Sequence, residues 1–428
     1  MIQAALERAF HPGPDAATAG ASAASAPTKA SVRKGGLEKV FEVKVGDSLA
    51  CIAKAPSGLL AAATDDGEIV FIDGADGSRR ASNDAMDDAP NEMSFTSSSK
   101  WLMTASDDGC ARVLSGFGAV VFEHSVAEEP AAGKRARCVA VDHLIALADG
   151  GGGDAFVAAA GRLVHACGVP DGQLQHTLTA DSPIRALCAA PSAVAPSWAY
   201  AAAYQGAILL VSRRGEVVRK LTSERPTRSL AISERWLAAG AFDGTVELWD
   251  VATPSAASDC NRRLQAYCGS DGEVLHWSAD GGGLAVSGAR AAVFDFTGAN
   301  PPHPYRKTSG APGQPDPLPR VCMEDNPTQT VAWAPHEGDR GAATAVATVG
   351  KDGAVRLWRP RGLPLRKGGK GDPSKPQLMK PQFYTFLQAD AAHPSGDAVR
   401  ACGLAWLAED VVAVAYATGE LVAWRVAA

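Results

Sequence analysis

The chain is poor in aromatic residues, at 6% of 428, and only 21% of it is charged. Large rings therefore cannot dominate the interior. With 46% of residues apolar, the core must be built from small and β-branched side chains. No apolar run approaches the ~20 residues that a bilayer-spanning helix needs, so no membrane helix and no membrane partner is expected. A net charge of −6 gives no general reason to expect nucleic acid or an anionic surface as partner. The nine cysteines contain no C-x-x-C pair. Cys51, Cys138, Cys188 and Cys402 sit in apolar, strand-like runs and read as small buried hydrophobes. That usage suits a reducing compartment, cytoplasm or nucleus. The nine histidines form neither H-x-x-x-H nor H-E-x-x-H, and there is no G-x-S-x-G elbow. The run Gly150–Gly153 precedes no helix, so it makes no phosphate cradle. The expectation is a protein without catalytic, metal or cofactor residues.

What is present begins with a compositional break. Residues 1–36 are rich in Ala, Ser, Pro and Thr without sustained periodicity and read as a disordered tail. Ile2, Leu6 and Phe10 allow one short amphipathic helix, and an organelle-targeting segment is the second reading. Glu7, Asp15 and the scarcity of Arg argue against it.

From Val40 onward short strand signals alternate with turns. The clearest unit runs from Trp236 to Asp250: an apolar strand, an Asp-Gly turn and a second strand closing on Trp-Asp. Asp-Gly suits a tight hairpin because Gly accepts positive φ and Asp bonds locally. The unit recurs as GLLAAATDDGEIVFID (58–73), KWLMTASDDGCARVLS (100–115), AVATVGKDGAVRLWR (345–359) and VVAVAYATGELVAWR (411–425). Weaker copies are AFVAAAGRLVHAC (155–167), WAYAAAYQGAILLVS (198–212) and GLAVSGARAAVFD (283–295). The closing positions of the eight units are Ile72, Leu114, Ala166, Val211, Trp249, Phe294, Trp358 and Trp424. Most successive gaps are about 40–50 residues, and the last two are longer, as a repeat with insertions would make them.

These residues resemble the WD-repeat family over about 40–428. Trp249-Asp250 is an intact terminal dipeptide, and Asp66, Asp108, Asp243 and Asp352 precede the Trp place by six residues. Trp358 and Trp424 occupy that place in two further units. In the family such an Asp joins a network with a Ser or Thr two residues earlier and the His of a Gly-His pair. Thr64 and Ser106 match the Ser/Thr place, but the chain has no Gly-His, so the full network is not expected. The resemblance implies an all-β propeller over 37–428, with eight blades by the unit count. Seven blades follow instead if one of the weak third and fourth units is misread. Lys39–Val45 is expected to close the circle as the outer strand of the last blade, with Val and Phe alternating with Glu and Lys. The paired acids Asp65-Asp66 and Asp107-Asp108 fall in hairpin turns and read as structural.

Two insertions, 298–317 and 359–381, interrupt the sixth and seventh units after their third strands. Family topology would put both on one rim of the disc, on adjacent blades. The second carries Arg359, Arg361, Arg366, Lys367, Lys370, Lys375 and Lys380 against a single Asp372. It is a candidate partner-binding loop for an acidic peptide or phosphate. Without interleaved aromatics it is a poor base-stacking surface, so nucleic acid is the weaker alternative. Arg185, Arg228 and Arg400 each stand at the start of a first strand, near a channel entrance. The functional expectation is a scaffold or adaptor that binds other proteins within a larger assembly.

Overall fold

The computed structural model describes residues 37–84, 86–126, 141–147, 154–191, 198–241, 243–252, 262–265, 274–278, 281–288, 291–296, 320–322, 327–335, 345–362, 383–396 and 399–426. The tail 1–36, the insertion 298–317 and residues 363–381 of the second insertion lie outside them. No helix among the described residues is long and apolar enough to cross a membrane.

The first strand, β1 (Leu37–Lys44), precedes the regular pattern. Blade 1 is β2 (Leu49–Lys54), β3 (Leu59–Thr64), β4 (Ile69–Asp73) and β5 (Arg79–Asn83). Blade 2 is β6 (Pro90–Phe95), β7 (Trp101–Ser106), β8 (Cys110–Ser115) and β9 (Val120–Ser125). Blade 3 is β10 (His143–Leu147), β11 (Ala155–Ala160), β12 (Leu163–Gly168) and β13 (Leu174–Thr179). Blade 4 is β14 (Ala186–Ala189), β15 (Tyr200–Tyr204), β16 (Ala207–Val211) and β17 (Val217–Thr222). Blade 5 is β18 (Thr227–Ile232), β19 (Trp236–Ala241), β20 (Thr245–Asp250) and β21 (Arg262–Gln265). Blade 6 is β22 (Leu275–Trp277), β23 (Gly283–Val286), β24 (Ala292–Asp295) and β25 (Arg320–Cys322). Blade 7 is β26 (Thr328–Trp333), β27 (Val346–Gly350), β28 (Val355–Gly362) and β29 (Phe383–Ala391). Blade 8 is β30 (Ala401–Ala408), β31 (Val411–Tyr416) and β32 (Glu420–Val426), completed by β1.

Each blade is an antiparallel sheet in chain order. The first strand of every blade packs on the first strand of the next, from β2 through β6, β10, β14, β18, β22, β26 and β30 back to β2. The ring is therefore closed, with eight blades. The weak third and fourth units are complete blades, which removes the seven-bladed alternative.

Burial explains why the second and third strands read as continuous apolar runs rather than alternating ones. Strands β3, β7, β15, β19 and β31 are buried nearly throughout because each blade is covered on both faces by its neighbours. Leu60, Ala62, Val70 and Ile72 of blade 1 pack against Val411, Ala413 and Ala423 of blade 8. Small residues predominate because adjacent sheets approach closely, which accounts for the low aromatic content.

The circle closes through β1, which pairs with β32 from Leu37↔Val426 to Lys44↔Glu420. This matches the expected closure by Lys39–Val45 to within two residues at one end. Phe41 follows the register shift after Lys39 and turns inward. It also heads a recurring joint. Phe41, Phe122 and His176 occupy equivalent positions on the outer strands of blades 8, 2 and 3, opposite Ala423, Val113 and Ala166. Each ring seats the glycine of the next blade's outer turn: Gly77, Gly172 and Gly215 respectively. At Gly172, φ is +65° and a Cβ would stand 2.1 Å from the Phe122 ring.

The same registers correct one position. The shift that precedes Ile72, Leu114, Val211 and Trp358 falls in blade 3 before Cys167. Cys167, not Ala166, is therefore the closing residue of the third unit. That hairpin turns tightly at Gly161-Arg162 without an Asp-Gly, so the sequence offered no fixed point for counting.

Candidate partner-binding face

Strand alternation fixes two faces. Hairpins between second and third strands, and connections between blades, open on one face, here called upper. The remaining turns open on the lower face. Each upper hairpin lies beneath the following interblade connection: Gly67 faces the Met86 and Asp88 carbonyls, and Gly419 faces Gly46.

Blades 1 and 2 make this upper face acidic. The interblade connections bring Asp47, Asp84, Asp87 and Asp88, and the hairpins bring Asp65, Asp66 and Asp107, all exposed. Asp142, also exposed, extends the patch to blade 3. The segments 45–48, 65–68, 84–89 and 107–109 contain no Lys or Arg. Arginines appear farther round. Arg185 and Arg400 are exposed immediately before β14 and β30, and Arg228 lies in β18, so all three occupy the predicted starts of first strands. Arg225 pairs with Asp243 at 3.2 Å on blade 5.

Under the acidic patch the inner strands are stitched to one another. Asn91 Nδ2 donates to the Val141 carbonyl at 3.2 Å and to Asp107 Oδ1 at 2.7 Å. Glu92 Oε2 accepts the Leu144 N–H at 2.9 Å. Cys51 donates to the Pro90 carbonyl at 3.5 Å, Cys402 to the Leu49 carbonyl at 2.7 Å, and Gln329 Oε1 accepts the Ala401 N–H at 2.7 Å. Burial pushes the Cys51 thiol up to about 12 and the Cys402 thiol to about 11, so both are protonated donors near neutral pH. The face is thus held on a rigid collar.

The sequence-predicted repeat residues do several different jobs. Asp108 accepts the Cys110 N–H at 2.8 Å and pairs with Arg112 at 2.6 Å; Arg112, 5% exposed, also holds Glu123 at 2.8 Å. Asp352 repeats this design, capping the Ala354 N–H at 3.1 Å and binding Arg356. Burial raises the Asp352 carboxyl, but Arg356 and the N–H hold it below its usual range. Asp243 caps the Thr245 N–H at 3.0 Å, while Asp66 stays exposed. Trp249, Trp358 and Trp424 are all buried.

Thr64 Oγ1 accepts the Glu68 N–H at 3.0 Å, and Ser106 donates to the Asp88 and Ala89 carbonyls and accepts the Asp108 N–H at 3.4 Å, so these hydroxyls brace their hairpins. Thr348, four residues before Asp352, accepts from Trp358 Nε1 at 2.9 Å. Pairing Val346↔Trp358 puts Thr348 two residues along, on the same blade face as the ring. Blade 5 has Ala239 at that position, and the Trp249 N–H has no partner. Blade 2 has the converse, Thr104 with an orphan hydroxyl and Leu114 at the Trp place.

His393 follows Ala392 rather than a glycine, so it carries no Gly-His signal in the sequence. It is buried, bonds Ser395 at 2.8 Å and meets Tyr416 edge-on at 4.4 Å. The Tyr416 hydroxyl donates to the Gly353 carbonyl at 3.1 Å, latching blade 8 to blade 7.

The basic stretch lies elsewhere. Strand β28 extends to Gly362, so Arg359 and Arg361 are in the strand pair, opposite Phe386 and Tyr384. Arg366, Lys367, Lys370, Lys375 and Lys380 fall outside the described residues. The connection that carries them starts and ends at the lower end of blade 7, away from the acidic face.

The family model described as "WD domain, G-beta repeat" matches residues 87–115 and 217–250. The pre-rRNA-processing protein IPI3 of Mycosarcoma maydis is 26% identical over 124 residues, 28% of this chain and 20% of that protein. The match thus spans about a fifth of the length of this relative. Among solved structures, Sqt1 from Chaetomium thermophilum superposes with a TM-score of 0.65 at 16% identity, covering 91% of this chain and 100% of that one. The C-terminal WD40 domain of Sif2 gives 0.63 at 13% identity, covering 92% and 99%.

Proposed function

Since the chain is a WD-repeat β-propeller, we propose that it is a protein-binding scaffold whose upper face receives a basic segment of a partner protein. Propellers of this family are generally non-enzymatic scaffolds of protein assemblies. The observation that carries the finer reading is the acidic arc over blades 1 and 2, built from segments without one cation. Exposed ion pairs contribute only about 0–1 kcal/mol each. Several carboxylates on one rigid collar act together, steering a cationic segment and fixing its position. The collar lowers the ordering cost on the propeller side. Free thiols at the described cysteines suit a nuclear or cytoplasmic setting.

The test is capture of partners from native lysate by the full chain and by Asp65→Asn/Asp66→Asn/Asp87→Asn/Asp88→Asn. Partners with basic segments should be lost from the variant, and wild-type capture should weaken steeply between low and moderate salt. Retention of the same partners by the variant would overturn the reading.

The seven cations of 359–380, a connection whose flanking strands end at the lower end of blade 7, support a second contact for an acidic segment of a protein in the same assembly. Deleting 367–380 should remove a different set of partners from those lost with the upper-face variant. Capture that is sensitive to nuclease would assign the stretch to nucleic acid instead.

A further inference from the structure

Two imidazoles meet across the joint between blades 2 and 3. His124, on β9, and His165, on β12, place Nε2 and Nδ1 2.7 Å apart, with ring centroids separated by 5.0 Å. Phe122 stacks on His124 at 6.1 Å, and His165 is buried. The position of His165 corresponds to Arg112 in blade 2 and Arg356 in blade 7, each opposite its Thr: His165↔Ala158, Arg112↔Thr104, Arg356↔Thr348. Those arginines bind the hairpin Asp. Blade 3 turns at Gly161-Arg162 and has no such acid, so its ring is free to cross to the neighbouring blade.

An N···N contact of this length holds one proton. Neutral imidazole offers one N–H and one lone pair, so a neutral pair is satisfied, whereas two imidazolium rings would oppose two N–H groups and two charges. The surrounding charges give no relief. On β9, Glu123 is committed to Arg112 of β8, and Cys110 of β8 approaches Glu123 at 3.9 Å. On β13, His176 bonds the Tyr200 hydroxyl at 3.0 Å, and β11 supplies no titratable side chain. The remaining group on β12 is Cys167, whose thiol burial pushes up to about 12.

We propose that His124 and His165 form an acid-sensitive latch, joined when neutral and parted when both rings are protonated, so that acid loosens the outer joint between blades 2 and 3. Burial holds both imidazoles below their usual value, His165 at about 4 with the charge of His124 adding to the effect. The unfolded chain therefore takes up these protons first. The latch contributes fully above about pH 6.5 and loses its contribution as pH falls toward about 4.

Hydrogen exchange of the full wild-type chain, corrected for the chemical exchange rate, tests this directly at about pH 7.5 and about pH 5. Protection of the segments 120–125 and 163–179 should fall by about tenfold at the lower pH, with 59–73 changing much less. His124→Leu/His165→Leu fills the joint with apolar groups, Leu being the residue found at the position equivalent to His124 in blade 3, Leu178. Its thermal midpoint should depend less on pH over the same range than that of wild type. Uniform loss of protection across all blades, or none, would overturn the proposal, as would parallel pH profiles for the two proteins.

Discussion

Thr348→Val asks what the hydrogen bond between the Trp358 indole and the Thr348 hydroxyl contributes. Valine has nearly the shape of threonine, so packing is kept while the acceptor for Trp358 Nε1 at 2.9 Å disappears. Both groups are buried, Thr348 fully, so no water replaces the lost partner. Leaving such a donor unsatisfied costs about 1–3 kcal/mol. The methyl that replaces the hydroxyl returns up to about 0.8 kcal/mol of apolar transfer. The expected net loss is roughly 1–2 kcal/mol. Blade 5 gives the reverse experiment. The Trp249 N–H is orphaned in a fully buried site, and Ala239 stands where blade 7 has its threonine. Ala239→Ser adds one acceptor with little volume and should stabilise by about 0.5–1.5 kcal/mol. Equilibrium urea unfolding followed by tryptophan fluorescence measures both, read as midpoint shifts at constant slope. If Thr348→Val is neutral while Ala239→Ser destabilises by about 1 kcal/mol or more, the register-based account of the network is wrong.

Other consequences follow from the joints between blades. Gly172→Ala should destabilise by about 2–4 kcal/mol, combining its positive φ with the clash on Phe122, whereas Gly206→Ala, with φ +86° in open space, should cost only about 1–2 kcal/mol; thermal melts of the pair separate the two terms. Phe41→Ala should cost about 3–5 kcal/mol, since it empties the closing joint under Gly77, and should speed proteolysis of β1 in a timed digest. Arg112→Met should destabilise, because the partly buried Asp108 loses its cation, and Arg112→Lys should recover part of the loss; urea midpoints of the two variants check this.

Much of the fold was legible because its determinants are local. Asp-Gly turns, apolar strands and recurring closing residues are set by neighbours a few positions apart, and their spacing gave eight units. The closing strand was legible for the same reason, since an alternating edge strand near one end and an unfinished blade at the other have one economical partner in each other. Where a local marker is absent, the sequence does not fix the position: blade 3 has no Asp-Gly, and only strand register separates Cys167 from Ala166 as its closing residue. The indole partner has no local marker: cross-strand register alone sets Thr348, four residues before Asp352, against Trp358. Register is a property of two paired strands, and one strand's sequence does not state it.

Function was less legible for a related reason. The seven basic residues of 359–380 fall in one stretch and announce themselves in sequence, whereas Asp47, Asp65, Asp87 and Asp107 are scattered among hairpins and connections and look like ordinary turn residues. Only the ring of blades gathers them, because every upper hairpin and every interblade connection must open on the same side. The pairing of His124 with His165 has the same origin: two residues 41 positions apart meet because one blade's outer strand lies against its neighbour's third. The sequence by itself determined the repeating strand–turn units and the strand that closes the circle, while the ring of first strands decided eight blades over seven. The tertiary structure decided which charges share a face and which rings share a proton, since both depend on neighbours that the chain order does not bring together.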